Sequence, residues 1–325
     1  MIFKLLIKNI KRFGVVYTIN FILVKLHILK DFSLKSYQKR QVYYSTLKKN
    51  EQINELCQFY RKATGKILDI ENPKLFSEKI QWMKIYDSTT IKSLLSDKYE
   101  ASKYIEKNFK GRIKTVPILG VWEDANDIDF KLLPQKFVLK CTHGSAMNLI
   151  IKDKEKINIK KITKKLNAWL KLDYATMNGM YENQYTAIKH RIIAEEFIQE
   201  MDGNLHDYKF HCFSGEPKYC QLIGDRTPNS HEYQHAFYTM NWEKTNISYN
   251  NHKIYKNDFE IPEKFEEMKK IAKDLAKGFK YVRVDFYLIN NEIYFGELTF
   301  TPDSGIFIFN DKDIDEKWGN LIHLS

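Results

Sequence analysis

Two neighbouring segments near the end of the chain each place one acidic residue in an apolar, strand-like run. Residues 281–305 read YVRVDFYLINNEIYFGELTFTPDSG, with Asp285 in the first run and Glu297 in the second. Side chains alternate between the two faces of a strand. One face of the first run carries Val282, Val284, Phe286 and Leu288, and the other carries Arg283, Asp285 and Tyr287. The alternation therefore separates Asp285 from the apolar face.

The register of this hairpin decides whether the two acids meet. A two-residue turn at Asn290 and Asn291 would place Glu297 on the apolar face, where its charge has no solvation. The pattern of the second run assigns Tyr294, Gly296, Leu298 and Phe300 to the apolar side and Phe295, Glu297 and Thr299 to the mixed side. Burial of the apolar faces sets register more strongly than turn preference does. We therefore predict a loop of three or five residues, with Asp285 opposite Glu297 and Arg283 opposite Thr299.

Two facing carboxylates repel each other unless a positive charge lies near them. Arg283 supplies part of that charge, and a salt-bridged surface hairpin is one interpretation. A divalent cation is the stronger one, because Mg²⁺ uses few carboxylates and fills its octahedron with water and phosphate oxygens. Two acids on adjacent strands beside an arginine suit a nucleoside triphosphate site.

Composition excludes several other classes of protein. The chain has 325 residues and a net charge of +11, but it lacks the arginine clusters and the aromatic RNP1 motif of RNA-binding proteins, so we expect no nucleic-acid partner. The four cysteines show no CxxC spacing. We therefore expect free thiols in a reducing cytoplasm rather than a zinc site.

The first 45 residues form a basic amphipathic segment. Lysines and an arginine alternate with Ile, Leu and Phe over residues 1–30, which is typical of a helix lying on an anionic membrane. A pair of helices packed on the rest of the protein explains the pattern equally well. The near-apolar run over residues 14–24 is too short to span a bilayer, and we predict a cytoplasmic protein, with peripheral contact at the inner membrane face as an option.

The remaining chain divides into three parts and has the mixed pattern of an α+β protein. Residues 46–110 show apolar spacings near 3.6, which predict helices beginning near Phe76 and near Asp97. Residues 111–195 and 196–325 mix strands with helices over 159–173 and 262–279. Because no regular βαβ period is present, we predict α+β rather than a parallel doubly wound sheet.

The hairpin motif resembles the final strands of ATP-grasp ligases, which read Arg-x-Asp followed by Glu-x-Asn-x-x-Pro-Gly. Arg283, Asp285, Glu297 and Pro302 match, whereas Thr299 replaces the asparagine and an Asp-Ser-Gly sequence replaces the direct Pro-Gly. The segments NPKLFSEKIQWMKIYD, SDKYEASKYI, VLKCTHGS and DYKFHCF extend the resemblance to the TupA-like branch over about residues 50–320. It implies an ATP-grasp fold with two α+β lobes that grip a nucleotide, and it leaves the first 45 residues unmatched.

The resemblance also implies a set of ligand-binding residues. Those for ATP would be Lys98, Lys140, His143, Gly144, Ser145, Glu195, Glu196, Ile198, Asp202 and Lys209. Asp285, Glu297 and Thr299 would hold Mg²⁺, and Arg283 would be catalytic. Within this set, Glu195 and Ile198 would contact adenine, Asp202 the ribose, and the three lysines the phosphates.

The implied activity is an ATP-dependent carboxylate–amine ligase that forms an amide through an acyl phosphate. In the TupA-like branch the partners would be an anionic sugar or polysaccharide precursor and an amino acid or amine, in bacterial surface polysaccharide biosynthesis. Three alternatives remain open: a kinase on the same scaffold, a glycosyltransferase, and a non-catalytic binding module. ADP release without an amine would favour the kinase, and UDP as product would favour the glycosyltransferase. Function that survives alanine at Asp285 would favour the binding module.

Overall fold

The computed structural model describes residues 41–324, except 42, 199–204, 225–233 and 251. The membrane contact predicted for residues 1–30 lies outside the described residues. Among the helices that are described, none combines the length and the apolar content needed to cross a bilayer.

The described chain mixes helices and antiparallel sheets, as the α+β prediction requires, with several helices preceding the first strand. The helices are α1 (Lys49–Thr64), α2 (Phe76–Tyr86), α3 (Thr90–Ser96), α4 (Lys98–Asn108), α5 (Ile159–Leu170), α6 (Phe265–Ala276) and α7 (Lys312–Asn320). The strands are β1 (Ile118–Trp122), β2 (Phe137–Cys141), β3 (Asn148–Ile151), β4 (Ile192–Glu196), β5 (Asp207–Phe213), β6 (Glu216–Gly224), β7 (Gln234–Thr239), β8 (Lys253–Ile254), β9 (Tyr281–Ile289) and β10 (Glu292–Thr299).

A four-stranded sheet, here the central sheet, has the order β1-β4-β2-β3 and is antiparallel throughout. Alternate residues of its middle strands, including Leu139 and Ala194, pack with Leu166 of α5 in one apolar core. The intervening residues, including Lys140 and Glu195, therefore lie on the opposite face. That face is the one turned toward the second sheet, because Lys140 and Glu195 line a cavity together with residues of β9.

The C-terminal sheet has the order β10-β9-β5-β6-β7-β8, and only its short β7–β8 pair is parallel. Phe210 and Val284 join the α6 residues Met268 and Ile271 in the largest apolar cluster. The neighbouring positions along β5 and β9 carry polar side chains and pair across the strands, Lys209 with Asp285 and His211 with Arg283. Strand alternation thus places the charged residues on the face away from α6.

A hydrogen-bonded network of buried polar side chains lies on the same face of the sheet, next to the charged residues. The Tyr281 hydroxyl donates to His211 Nδ1 at 2.8 Å, and His211 Nε2 lies 3.3 Å from the amide oxygen of Gln221. Gln221 Nε2 donates to His235 Nδ1 at 3.0 Å, and His235 Nε2 donates to the hydroxyl of Ser248 at 2.9 Å. Because an amide oxygen only accepts and an amide nitrogen only donates, His211 carries a proton on Nε2, and His235 is neutral with its proton on Nε2.

Because His211 and His235 are buried, we predict that the protein becomes less stable in mild acid. Burial, together with the nearby Arg283 charge, lowers the pKa of His211 to about 3, and burial together with His252 lowers that of His235 to about 4. The unfolded chain takes up protons near pH 6.5 that the folded chain does not, so stability is complete above that pH and falls as the pH drops toward 4. Each histidine contributes a slope of about 1.4 kcal/mol per pH unit.

Urea unfolding between pH 7 and 4.5 measures this slope. We expect a clearly smaller pH dependence for the His211→Gln/His235→Gln double variant than for the original chain. Equal slopes for the two proteins would show that other groups control acid stability.

Candidate functional site

The polar faces of the two sheets enclose a cleft made of two adjoining cavities. The larger has a volume of about 540 Å³ and reaches from Lys140 and Glu195 on the central sheet to Lys209 and Asp285 on the C-terminal sheet. The smaller has a volume of about 330 Å³. The residues common to both walls are Lys98, Ser145, Arg283, Phe295, Gly296, Glu297 and Asp303. Charged side chains from both sheets and from α4 therefore converge on one cleft.

The register of β9 and β10 pairs Asp285 with Glu297 and Arg283 with Thr299, as predicted. The predicted loop length was wrong, because Ile289 pairs with Glu292 across a two-residue turn, Asn290-Asn291, in which both residues have positive φ. A β-bulge at Gly296 supplies the missing residue and shifts the register by one. A bulge inserts a residue into one strand only, so turn preference and burial of the apolar face are both satisfied.

The same bulge corrects the faces predicted for β10. Phe295 is 5% exposed and belongs to the apolar core, whereas Tyr294 is half-buried and outside it. Gly296 permits the bulge because a Cβ there would lie 2.9 Å from the carbonyl oxygen of Asp285. The close approach of the two backbones leaves Glu297 facing the cleft beside Asp285.

Arg283 binds both acids and the threonine at once. Its Nε and Nη2 donate to the two carboxylate oxygens of Asp285 at 2.7 and 2.8 Å, and Nη2 also lies 3.3 Å from Glu297 and 3.2 Å from Thr299. Lys209 forms an ion pair with Asp285 Oδ2, the oxygen that also accepts from Arg283 Nη2. Planar two-point binding of a carboxylate is a property of arginine that lysine lacks.

The two cations determine the charge state of Asp285. Burial alone would raise its pKa, but the adjacent Arg283 and Lys209 outweigh burial and lower the pKa to about 2. The carboxylate is therefore ionised at neutral pH although it is 2% exposed. Glu297 is much more accessible than Asp285, since 45% of its side chain is exposed to the cleft.

Lys98 and Lys140 approach the cleft from the side opposite Asp285. Lys98 is the first residue of α4 and donates to the carbonyl oxygen of Gly144 at 2.5 Å. Burial lowers its pKa, and the nearby carboxylate of Glu297 partly opposes that effect. Lys140 forms an ion pair with Glu195. Three lysines, Lys98, Lys140 and Lys209, thus line the larger cavity with Arg283, and their positive charges suit a triphosphate.

The segment between β2 and β3 can offer backbone groups to a ligand in the cleft, but not the side chain of His143. Gly144 and Ser145 line the smaller cavity, and a Cβ on Gly144 would lie 2.7 Å from the ring of Tyr174. His143 is fully buried, stacks on His190 at 3.7 Å and places Nε2 3.1 Å from the carbonyl oxygen of Trp169. Its side chain is turned away from both cavities, so only its backbone remains available to a phosphate.

The residues predicted for adenine and ribose do not all come together. Glu195 lines the larger cavity, but Glu196 and Ile198 line a separate open depression with Lys114 and Tyr294. Their side chains therefore face away from the charged cleft. Asp202 lies outside the described residues.

Sequence reasoning missed several residues of the cleft. Asp207 lies two positions before Lys209 on the same strand face and within 4.0 Å of its Nζ, so strand alternation would have identified it. Glu182, Tyr174 and Tyr185 belong to an irregular stretch before β4 and line the smaller cavity. That stretch has no periodic signal, and only the folded chain brings it to the acids.

The donor set around Asp285 fits a magnesium ion bound together with a nucleotide. Asp285, Glu297 and Thr299 offer oxygen atoms only, which is the chemistry that Mg²⁺ prefers, and one or two carboxylates suffice when phosphates complete the shell. Among the described residues no group of three or more His, Cys, Asp and Glu side chains could hold a metal ion on protein ligands alone. The site therefore fits a metal that arrives with its phosphate ligands.

Asp97 caps the helix that begins at Lys98, and removing its side chain is expected to destabilise the protein. Its carboxylate accepts from the backbone of Tyr99 at 2.9 Å, caps α4 and pairs with Arg191 at 3.1 Å. Asp97→Ala removes the cap and leaves Arg191 with only Glu100 at 2.8 Å, so we expect a loss of about 1–2 kcal/mol in the free energy of unfolding. Asp97→Asn keeps the cap acceptor and is the matched control. Equal urea midpoints for Asp97→Ala and the original chain would contradict the capping role.

Comparisons with known proteins give the family. The model of the family described as TupA-like ATPgrasp matches residues 78–323, which is more than half of the chain. No curated protein matches.

Solved structures that resemble the chain include D-alanine–D-alanine ligase from Helicobacter pylori and phosphoribosylamine–glycine ligase from Thermotoga maritima. The first is 19% identical, with a TM-score of 0.37, over 71% of this chain and 62% of its own. The second is 18% identical, with a TM-score of 0.39, over 66% of this chain and 50% of its own. The chain thus covers less than two thirds of the length of either ligase. On the match of the family model over residues 78–323, the chain belongs to the TupA-like ATP-grasp family and has the ATP-grasp fold.

Proposed function

We propose that the protein is an ATP-dependent carboxylate–amine ligase that forms an amide and releases ADP and phosphate. The observation that carries the proposal is the cluster of Asp285, Glu297 and Arg283 facing Lys98 and Lys140 across the larger cavity. Oxygen ligands on one wall and ammonium groups on the other match the charges of a magnesium nucleotide. The cavity volume of about 540 Å³ lies in the range of small-molecule sites.

The three lysines would hold the phosphate oxygens, and Glu195 would accept a hydrogen bond from the adenine amino group. Mg²⁺, bound by Asp285, Glu297 and Thr299, would neutralise phosphate charge. Glu195 is buried and paired with Lys140, so the same pair would orient base and phosphate. Glu196 does not line this cavity, and Ile198 could contact a nucleotide there only through its backbone.

In the first step a substrate carboxylate attacks the γ-phosphorus, which yields an acyl phosphate and ADP. An amine in its neutral, unprotonated form then attacks the acyl carbon, the bond to the phosphate oxygen breaks with that oxygen keeping the electron pair, and the nitrogen passes one proton to the departing phosphate. Arg283 touches both cavities and would stabilise the oxyanion of the tetrahedral intermediate. Fixed charges that meet developing charge account for most of the acceleration in such sites.

The substrates we propose are a sugar-acid carboxyl and the amine of an amino acid or related compound, in a bacterial surface-polysaccharide precursor. The description of the family as TupA-like supports this choice. A basic chain with net charge +11 agrees with a polyanionic substrate. We further propose the divisions 1–45, 46–110, 111–195 and 196–325, with peripheral contact between residues 1–30 and the inner face of the cytoplasmic membrane.

Incubation with Mg·ATP, a panel of uronic acids and a pool of amino acids, amino acid amides and simple primary amines tests the proposal. We expect ADP and an amide product by mass spectrometry, and a hydroxamate when hydroxylamine replaces the amino acids. Phosphorylated sugar without any amine requirement would indicate a kinase, and UDP released from nucleotide sugars would indicate a glycosyltransferase. Either result would overturn the ligase proposal.

A further inference from the structure

The smaller cavity contributes negative charge of its own. It shares Lys98, Arg283 and Glu297 with the larger cavity, where they would face the proposed nucleotide, and it adds Glu182. Asp303 lines both cavities from the loop after β10. Once the nucleotide engages the shared cations, the charges left for a second substrate are carboxylates.

Glu182 is held in place although it is only 4% exposed. The Thr301 hydroxyl donates to its Oε2 at 2.5 Å, and Gln184 Nε2 donates to the same hydroxyl at 2.7 Å. Burial raises the pKa of Glu182, and the nearby cation of Lys84 opposes that effect. A buried carboxylate at a cavity wall is stabilised by a cationic guest.

The loop that presents Asp303 has a strained backbone. Asp303 has φ +47°, Ser304 has φ +52° and Gly305 has φ +69°. Left-handed conformations cost about 1–2 kcal/mol for a residue with a side chain. Two consecutive residues of this kind persist only where the surroundings impose them, and such strain clusters at functional sites.

A buried lysine on α2 imposes this conformation. Lys84 is fully buried, and its Nζ donates to the carbonyl oxygen of Ser304 at 2.6 Å and to its hydroxyl at 2.7 Å. Gln81 donates to the carbonyl oxygens of Ser304 and Gly305 at 3.0 and 3.1 Å. A Cβ on Gly305 would lie 2.7 Å from Ile80. The loop is thus tied to α2, and Asp303 remains exposed at the cleft.

We propose that the smaller cavity binds the amine substrate as its ammonium ion, that Glu182 and Asp303 recognise it, and that Lys84 is the positioning residue for the loop. The inference rests on the proposed ligase function and narrows its substrate. An amine with a free carboxylate next to the ammonium would be repelled by the two acids. The substrate class is therefore a primary amine whose own carboxylate is absent, masked or remote.

Two matched compound sets test this inference on the full chain loaded with Mg·AMPPNP. One contains the amides of the twenty standard amino acids, which carry an ammonium and no α-carboxylate. The other contains the N-acetyl amino acids, which carry the carboxylate and no α-ammonium. Saturation-transfer NMR detects binding and titration gives affinity. We expect ligands among the amides, with neutral side chains sufficient, and no competition with these ligands from N-acetyl derivatives with neutral side chains.

Variants test whether Glu182, Asp303 and Lys84 are responsible for binding the ammonium group. Asp303→Asn and Glu182→Gln are expected to weaken amide binding at least tenfold, and Lys84→Met to do the same while affinity for AMPPNP is retained. A merely structural lysine would change both affinities or neither. Because Glu182 and Lys84 are buried, the exposed Asp303 keeps the test decisive if those variants fail to fold. Glu316→Gln, an exposed acid on α7, is the control and should change neither affinity.

The outcomes separate this inference from the function on which it rests. No AMPPNP binding by the original chain would contradict the proposed function. Normal AMPPNP binding combined with no amide ligand, with N-acetyl ligands that compete with the amides, or with an unaffected Asp303→Asn variant would overturn the ammonium site and leave the ligase proposal in place.

Discussion

Replacing Asp285 with asparagine is expected to reduce ADP release by a factor of about 10²–10³ or more and to destabilise the fold. The carboxylate is 2% exposed and binds Arg283 and Lys209. Its loss would leave two buried cations without their counter-charge, and breaking a buried pair costs about 3–5 kcal/mol. ADP release with the same uronic acids and the same pool of amino acids, amides and amines, together with urea unfolding, measures both effects.

Glu297→Gln is the matched comparison. Its side chain is 45% exposed and contacts Arg283 at a longer distance, 3.3 Å, so we expect a comparable loss of turnover with little change in the free energy of unfolding. The pair of variants separates the chemistry of the acids from their structural role. Full turnover in either variant, or equal destabilisation by both, would contradict the assigned roles.

Arg283→Lys is expected to lower kcat by about 10²-fold or more although the positive charge is kept. One guanidinium binds Asp285 through two nitrogens and also contacts Glu297 and Thr299, and a single ammonium cannot reproduce that planar geometry. Because Arg283 lowers the pKa of Asp285 against the effect of burial, the variant should also raise that pKa.

Steady-state kinetics and a pH profile of kcat test this variant. Arg112→Lys, at an ion pair with Asp274 whose partners are about half exposed, is the control and should leave kcat unchanged. An Arg283→Lys enzyme with the original kcat would exclude a role for the two-point geometry.

Strand alternation predicted the most important part of the cleft. Residues two apart on β9, Arg283 and Asp285, lie on the polar face because the intervening Val284 is fully buried against the α6 side. Local pattern is sufficient here because a strand has only two faces. The same rule would have added Asp207 to the site.

The hairpin loop shows where local reasoning fails. Residue counting required an odd loop, but a glycine within β10 accommodated the extra residue as a bulge and left the favoured Asn-Asn turn intact. A single Gly296 in a strand pattern is itself a signal for a bulge. Weighing that signal against loop length would have given the observed register.

Residues brought together by long-range folding could not be predicted from spacing. Glu182 and Lys84 are distant in sequence from Ser304, and they meet because α2 packs on the loop after β10. His143 stands next to Gly144 in the sequence, yet its ring packs on His190 rather than facing the cleft. The residues next to His143 in the sequence do not determine which way its ring points.

Isothermal titration calorimetry with AMPPNP, with and without Mg²⁺, tests most directly whether Asp285 and Glu297 hold a magnesium nucleotide. We predict binding that depends on Mg²⁺ in the original chain and that is strongly weakened in Glu297→Gln, a variant expected to remain folded. Nucleotide affinity that is the same without Mg²⁺, or unchanged in Glu297→Gln, would contradict the account.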